Sequence, residues 1–452
     1  MERDVPVLSS WTESTAYGSD GSGASPDGEM HGVRAGAIMF AGVAVVNVGN
    51  YVFHLIAARD LGPSDYGDLV ALLTLSSLVC LPLTALQVVV GRYVAHFTAL
   101  AEPDGARRIN RRVAGITLVF ATVATVMIAA LSPVIERALS ISSGWAIVIT
   151  AVLTLPSAVT PVVWGVAQGL QRFTLLAVSM AAGSVARIAP LVVFVAVGLS
   201  TAAAVAATLV GVATSLVLPF VPLAGWFTRP AGREPHETTS VRLFRSTAPA
   251  VVALVAFTSL TQSDVLAANA ALSDTASGVY GAASLVGRVV LYLPAAIVAV
   301  LLPKVAARSA SDRPTVDILG LSLLATFVFC VLSTAVYAAV PGTIVRIAFG
   351  TKYENAADLL LPFGIAMTVL ALLNVLLYYH LGRGDHRFAW ILGAGAIAQI
   401  VAFALFHSAP KTLVYDTITV SILILVLHEL ATRWTMAVAA RHAVAGVARR
   451  HA

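Results

Sequence analysis

The chain has 452 residues, 58% of them hydrophobic and only 11% charged, with a mean hydropathy of +0.88, far above that of a soluble domain. Its formal charge of +5 does not describe a nucleic-acid binder, because the arginines sit in short breaks between apolar runs, as topology determinants do. Cys80 and Cys330 lie inside apolar segments without C-x-x-C spacing, which excludes a disulfide framework and a cysteine metal site. The composition is that of an all-α polytopic membrane protein for which no cofactor or metal is expected.

Residues 1–32 are rich in Ser, Gly, Asp and Glu and contain no apolar h-region, so they read as a disordered cytoplasmic tail and not as a signal peptide. From Val33 onward, runs long enough to cross a bilayer as helices follow one another. The predicted spans are 33–58, 67–92, 113–135, 145–168, 173–198, 202–227, 245–270, 280–303, 317–340, 356–380, 388–407 and 412–432, about twelve transmembrane helices. They divide into a first six-helix lobe over 33–228, a cytoplasmic linker over 229–244, a second lobe over 245–436 and a basic cytoplasmic tail over 437–452.

Placing both termini in the cytoplasm puts most of the 28 basic residues on the inner side, including Arg107, Arg108, Arg111, Arg112, Arg229, Arg233, Arg308 and Arg313. Only Arg59, Arg137, Arg346, Lys352 and Lys411 fall outside, the bias expected of a multi-pass plasma-membrane protein. All outer connections are short, with the longest at 341–355, too little for an extracytoplasmic catalytic domain such as a glycan polymerase or ligase needs.

An internal repeat is visible when Tyr66-Gly67 is laid on Tyr280-Gly281. Asn50 then falls on Asp264, Asn47 on Thr261 and, after a two-residue slip, Leu81-Pro82 on Leu293-Pro294 and Arg92 on Lys304. Each half starts with the same hairpin on the same side of the membrane, which describes parallel repeats related by a pseudo-two-fold axis along the membrane normal. A duplicated channel would share this pattern.

These residues carry a resemblance. Leu61-Gly62-Pro63 with Tyr66-Gly67, Pro82 and Arg92, then Gly169-Leu170-Gln171-Arg172-Phe173, Tyr280-Gly281 with Leu293-Pro294 and Pro303, and Phe349-Gly350-Thr351-Lys352-Tyr353 resemble the polysaccharide-transport branch of the multidrug/oligosaccharidyl-lipid/polysaccharide (MOP) exporter superfamily, the Wzx-type flippases. The resemblance implies a V-shaped, MATE-like fold and transport of a lipid-pyrophosphate-linked oligosaccharide across the membrane by alternating access. It also implies membrane lipids as neighbours and partners in polysaccharide polymerisation or assembly. The multidrug branch shares the fold and exchanges cationic compounds for H+ or Na+. Some of its members carry a carboxylate in the first helix, where this chain has Asn47, Asn50 and His54.

The residues that could carry chemistry are the polar ones inside apolar runs. Asn47, Asn50 and His54 share one helical face, directed either at a central cavity or at interhelical hydrogen bonds. Asp264 and Arg288 enter the membrane from the same side at similar depth, so they form either an ion pair or a site in which Asp264 binds a coupling H+ or cation. Arg187, with no carboxylate in its own helix, is the foremost candidate for the substrate's pyrophosphate, since guanidinium presents a fork of donors to phosphate oxygens. Arg288, Arg92 and Lys304 are the other phosphate candidates, the last two serving equally well as snorkelling anchors. Trp164, Gln168, Gln262, Asn374 and Tyr378 are candidates for glycan contacts. The group His428, Glu429 and Arg433 is expected at a water-accessible helix end with a structural role. No Walker A, H-E-x-x-H or G-x-S-x-G sequence occurs, so no ATP hydrolysis or other enzymatic activity is expected, and a gradient of H+ or Na+, or downstream polymerisation, is left as the energy source.

Overall fold

The structure, a computed structural model, describes residues 26–99, 103–198, 200–228, 238–310 and 313–432. In chain order the helices are α1 Pro26–Leu61, α2 Pro63–Ala99, α3 Pro103–Ala130, α4 Ser132–Ala138, α5 Gly144–Gly169, α6 Phe173–Ala186, α7 Ile188–Val197, α8 Thr201–Leu223 and α9 Gly225–Thr228. They continue as α10 Thr238–Ala271, α11 Asp274–Tyr292, α12 Ala295–Ala310, α13 Val316–Ala339 and α14 Pro341–Phe349, then a 3-10 turn Thr351–Ala356, α15 Ala357–Arg383, α16 Arg387–Leu405 and α17 Pro410–Thr432.

Among the described residues, eleven helices are long and apolar enough to cross a membrane. Their outer faces suit hydrocarbon: on α3, Ile116, Val119, Val123 and Val126 recur at helical spacing and are all more than half exposed. The expected eighth span, 280–303, is instead two helices, α11 and α12, broken at Leu293–Pro294. Pro294 has no N–H to give the Val290 carbonyl, and that carbonyl receives the Cys330 thiol at 3.5 Å. Two boundaries also shift. Residues 26–32, placed in the tail, begin α1, and 238–244, placed in the linker, begin α10. The connection 341–355 is formed by α14 and then the 3-10 turn. Residues 1–25, 229–237 and 437–452 lie outside the described residues.

Two lobes follow the repeat. In the first, α5 is central and packs on α2, α3 and α8, while α6 lies between α1 and α8. In the second, α15 holds the equivalent place, against α11, α12, α13 and α17. The lobes meet through α2, which packs on both α10 and α11. The repeated Tyr-Gly pairs make this contact close. A methyl group on Gly278 would lie 1.5 Å from the Pro63 carbonyl oxygen, and one on Gly67 would lie 2.6 Å from Ser277 Oγ.

The same end of the bundle carries every hydrogen bond described between the lobes. The Tyr353 hydroxyl donates to the Ala58 carbonyl at 2.8 Å, the Arg59 guanidinium donates to the Ile347 carbonyl, and Asn269 hydrogen-bonds the Asp68 carboxylate. Tyr66, Phe349 and Tyr353 pack ring on ring beside them. Gly62, at φ +80°, lets α1 reverse into α2 through a single residue. At the opposite end each hairpin returns to its own lobe: α2 lies on α5 at Gly91 and Gly165, and α12 lies on α15 where Val305 faces Gly382. The lobes therefore diverge from one joined end.

Candidate functional site

Arg187 occupies the break between α6 and α7. Three residues on, Pro190 cannot donate to the Ala186 carbonyl, which interrupts the helix there. Two glycines bring α8 against this break: a methyl on Gly183 would lie 2.7 Å from the Gly211 carbonyl oxygen, and one on Gly211 would lie 2.8 Å from Arg187 Cβ. The side chain is thus directed to α1. Its Nη2 donates to Asn50 Oδ1 at 2.8 Å, and its Cζ lies 4.6 Å from the Phe53 ring centroid, a cation–π distance. Nε is buried without a hydrogen-bond partner. The hydrogen-bond partner it finds is a neutral amide.

This guanidinium lines a cavity of about 200 Å³ bounded by α1, α5, α6 and α8, shared with Val46, Asn50, Trp164, Ser184, Thr208 and Ser215. None of its lining residues is a carboxylate. Trp164 is held across it, its indole N–H donating to the Ser215 carbonyl at 3.2 Å. A cation in low dielectric with spare donors and no counter-charge attracts anions.

The polar face of α1 is divided. Asn47 is exposed, Asn50 is engaged by Arg187, and His54 is buried with its Nδ1 3.2 Å from the Tyr66 hydroxyl. His54 lies within electrostatic reach of both Arg187 and Arg288, so basic residues from both lobes flank one stretch of α1.

In the second lobe, Arg288 Nη2 meets Asp264 Oδ1 at 3.0 Å, with the two side chains 14% and 2% exposed. Tyr280 donates its hydroxyl to the other carboxylate oxygen at 3.1 Å, and Arg288 Nε donates to the Thr261 carbonyl at 3.1 Å. Asn50 and Asp264, equivalent in the repeat, therefore each hold an arginine. In the second lobe the pair is neutral, and in the first it keeps the full charge of the guanidinium.

The remaining candidates are scattered. Gln168 is exposed and accepts from Gln87 Nε2 at 3.3 Å. Gln262, Asn374 and Tyr378 are half-buried and are not among the residues lining the Arg187 cavity. Lys304 is exposed, while the side chain of Arg92 lies outside the described residues. Arg107, expected in a basic loop, belongs to the first turns of α3, paired with Asp104 at 2.8 Å.

One expectation is overturned outright. His428 is not at a water-accessible end: it is 0% exposed, with its Nε2 2.9 Å from His380 Nε2. Two carboxylates within membrane-length helices escaped notice in the sequence. Asp68 accepts from the Ser142 backbone N–H at 2.8 Å and hydroxyl at 2.7 Å, and Asp416 lies half-buried on α17. The signal that could have found them is the same one that found Asp264, a charge inside an apolar run.

No family model matches the sequence, and no curated protein matches it. In fold, the chain is similar to an inward-facing multidrug resistance MATE family transporter of the MOP superfamily, at 12% identity over 88% of this chain and 96% of that one, with a TM-score of 0.72. It is similar also to the lipid II flippase MurJ in an inward closed conformation, at 10% identity over 90% and 91% of the two chains, with a TM-score of 0.70. Against an outward-facing MATE family transporter, at 15% identity over 90% and 95%, the TM-score is 0.56. The chain has the two-lobed, all-α membrane fold of these proteins.

Proposed function

We propose that the chain is a flippase that moves an oligosaccharide linked through pyrophosphate to a polyprenyl (undecaprenyl-type) lipid from the inner to the outer leaflet of a bacterial cytoplasmic membrane, for cell-surface polysaccharide. The observation that carries this reading is the uncompensated guanidinium of Arg187 in a cavity without a carboxylate. A guanidinium's planar fork pairs with two phosphate oxygens at once, and the partners Arg187 has, the Asn50 amide and the Phe53 ring, carry no counter-charge. A cavity of about 200 Å³ suits the phosphates, leaving the glycan and lipid to the larger space between the diverging lobes.

By the bias expected of cytoplasmic loops, the joined end faces outward and the open end the cytoplasm, with both termini inside. On that orientation this conformation is the loading state, and the higher TM-score against the inward-facing transporter agrees with it. Lobes at 33–228 and 245–436 then rock about the α2–α10–α11 contact. Energy comes from an ion gradient or from polymerisation partners that draw product away. A multidrug cation antiporter needs an acidic cavity, and here Asp264 is already neutralised by Arg288.

Reconstituted in liposomes, the protein should flip a polyprenyl-pyrophosphate-linked saccharide, Arg187→Ala should abolish the activity, and Arg187→Lys, which keeps the charge without the fork, should retain part of it. Flipping by Arg187→Ala at the wild-type rate would sink the reading.

A further inference from the structure

At the end of the second lobe remote from the lobe contact, roughly 35 Å along α15 at 1.5 Å per residue, lies a cluster that the flippase reading does not use. His380 of α15 and His428 of α17 are buried, with their Nε2 atoms 2.9 Å apart. Each turns its other ring nitrogen to a carboxylate: His380 Nδ1 is 3.3 Å from Asp385 Oδ2, and His428 Nδ1 is 3.6 Å from Glu429 Oε1. Phe388 covers both rings at 5.1 Å.

Counting protons shows what this arrangement requires. An Nε2 pair at 2.9 Å is a hydrogen bond, so one nitrogen donates and the other accepts. Both Nδ1 atoms face negative oxygens at ion-pair distance without a hydrogen bond, where a proton is attracted and a bare lone pair is repelled. Three protons suit the one hydrogen bond and the two charge contacts, and two neutral imidazoles supply two. A fourth proton has no place, because two Nε2–H groups would point at each other and two imidazolium charges would sit in contact. A metal ion does not fit either: the nitrogens facing each other are at hydrogen-bond distance and the carboxylates lie on the far side of each ring. No metal-binding group occurs among the described residues.

We propose that His380 and His428 form a single-proton site, in which one proton is shared between the two Nε2 atoms and its positive charge is balanced by Asp385 and Glu429. The site does not depend on what the chain carries. Its surroundings are mixed in charge. From α15, Arg383 lies over the Tyr379 ring and donates to its hydroxyl at 3.4 Å. From α16, Arg387 is exposed and donates its backbone N–H to Asp385. α12 carries exposed Lys304, and Arg308 paired with Asp317 of α13. α10 packs on α16 and α17. When the shared proton leaves, one Nδ1 must face its carboxylate unprotonated, so the Asp385 turn or the α17 end loosens. The proton thereby ties the α15–α16 turn to α17.

The test is solid-state NMR of the full chain in lipid bilayers with ¹⁵N-labelled histidine, from pH 8 to pH 4.5. A through-bond Nε2–Nε2 correlation and a single proton taken up jointly by two histidines are expected, and both should vanish in His380→Gln and in His428→Gln alike. Asp385→Asn leaves both imidazoles in place and should weaken the proton's binding by about tenfold, the low end of the effect of a neighbouring opposite charge. Two independent histidine titrations, no correlation in the wild-type chain, or an unchanged midpoint in Asp385→Asn would each overturn the shared site.

Discussion

Gly278→Ala is the sharpest perturbation of the lobe contact. The added methyl would lie 1.5 Å from the Pro63 carbonyl oxygen, where real contacts are not found below 3.0 Å, so α2 and α11 must part by roughly 1.5 Å. That movement stretches the 2.8 Å hydrogen bond from Tyr353 to Ala58 beyond its reach. Overpacking of this kind costs about 1–3 kcal/mol, which shifts a two-state equilibrium roughly fivefold to more than a hundredfold toward separated lobes. Electron–electron resonance between spin labels at Glu136→Cys and Asn355→Cys, both exposed, reads the separation directly once buried Cys80 and Cys330 are replaced. The label distance should lengthen in Gly278→Ala and stay fixed in Gly115→Ala, whose methyl meets nothing. An unchanged distance distribution in Gly278→Ala refutes the claim that this crossing holds the end shut.

Tyr353→Phe removes only the hydroxyl that bonds Ala58, and should weaken the closed end by about 1 kcal/mol, visible with the same labels as a smaller shift in the same direction. Asp264→Asn and Arg288→Gln should each destabilise the chain in denaturant titrations by about 3–5 kcal/mol, because each strands a buried charge or its partners. The double substitution should cost clearly less than the sum, and additive effects would show that the two charges do not interact. Asp385 gives a pH dependence. Burial by itself would raise its carboxyl, but the Arg387 N–H at 3.0 Å and the adjacent His380 outweigh this and hold it below its ordinary value. A carboxyl depressed in the folded state stabilises above its unfolded value and loses that contribution as pH falls through the folded one. Thermal melting of Asp385→Asn should therefore fall less than wild type below about pH 4, and superimposable acid profiles would contradict the sign.

Eleven of the twelve predicted spans and the repeat were legible because hydrocarbon imposes its own length and because Tyr66-Gly67 and Tyr280-Gly281 survive in both halves. The break at Pro294 was hidden, since its freed carbonyl is satisfied by Cys330, forty residues away from Val290. The pairing of Asp264 with Arg288 was one of two alternatives that matching depth within one hairpin left open. Arg187 was found as a lone charge, yet its attachment to Asn50, 137 positions away, depends on how Gly183 and Gly211 set the spacing of α6 and α8. His380 was passed over and His428 placed in water, because a helix end in sequence says nothing about the neighbouring helix that covers it. Polar residues that bond across helices can be listed from sequence, but their partners are decided by packing.

Paired transport assays on the same liposomes test the function most directly, one following a fluorescent polyprenyl-pyrophosphate-linked saccharide and the other an organic cation. A flippase with Arg187 as its phosphate receptor moves the anionic lipid, loses this in Arg187→Ala, and leaves the cation behind. Cation exchange against a proton or sodium gradient that survives Arg187→Ala, with the lipid unmoved, would contradict it.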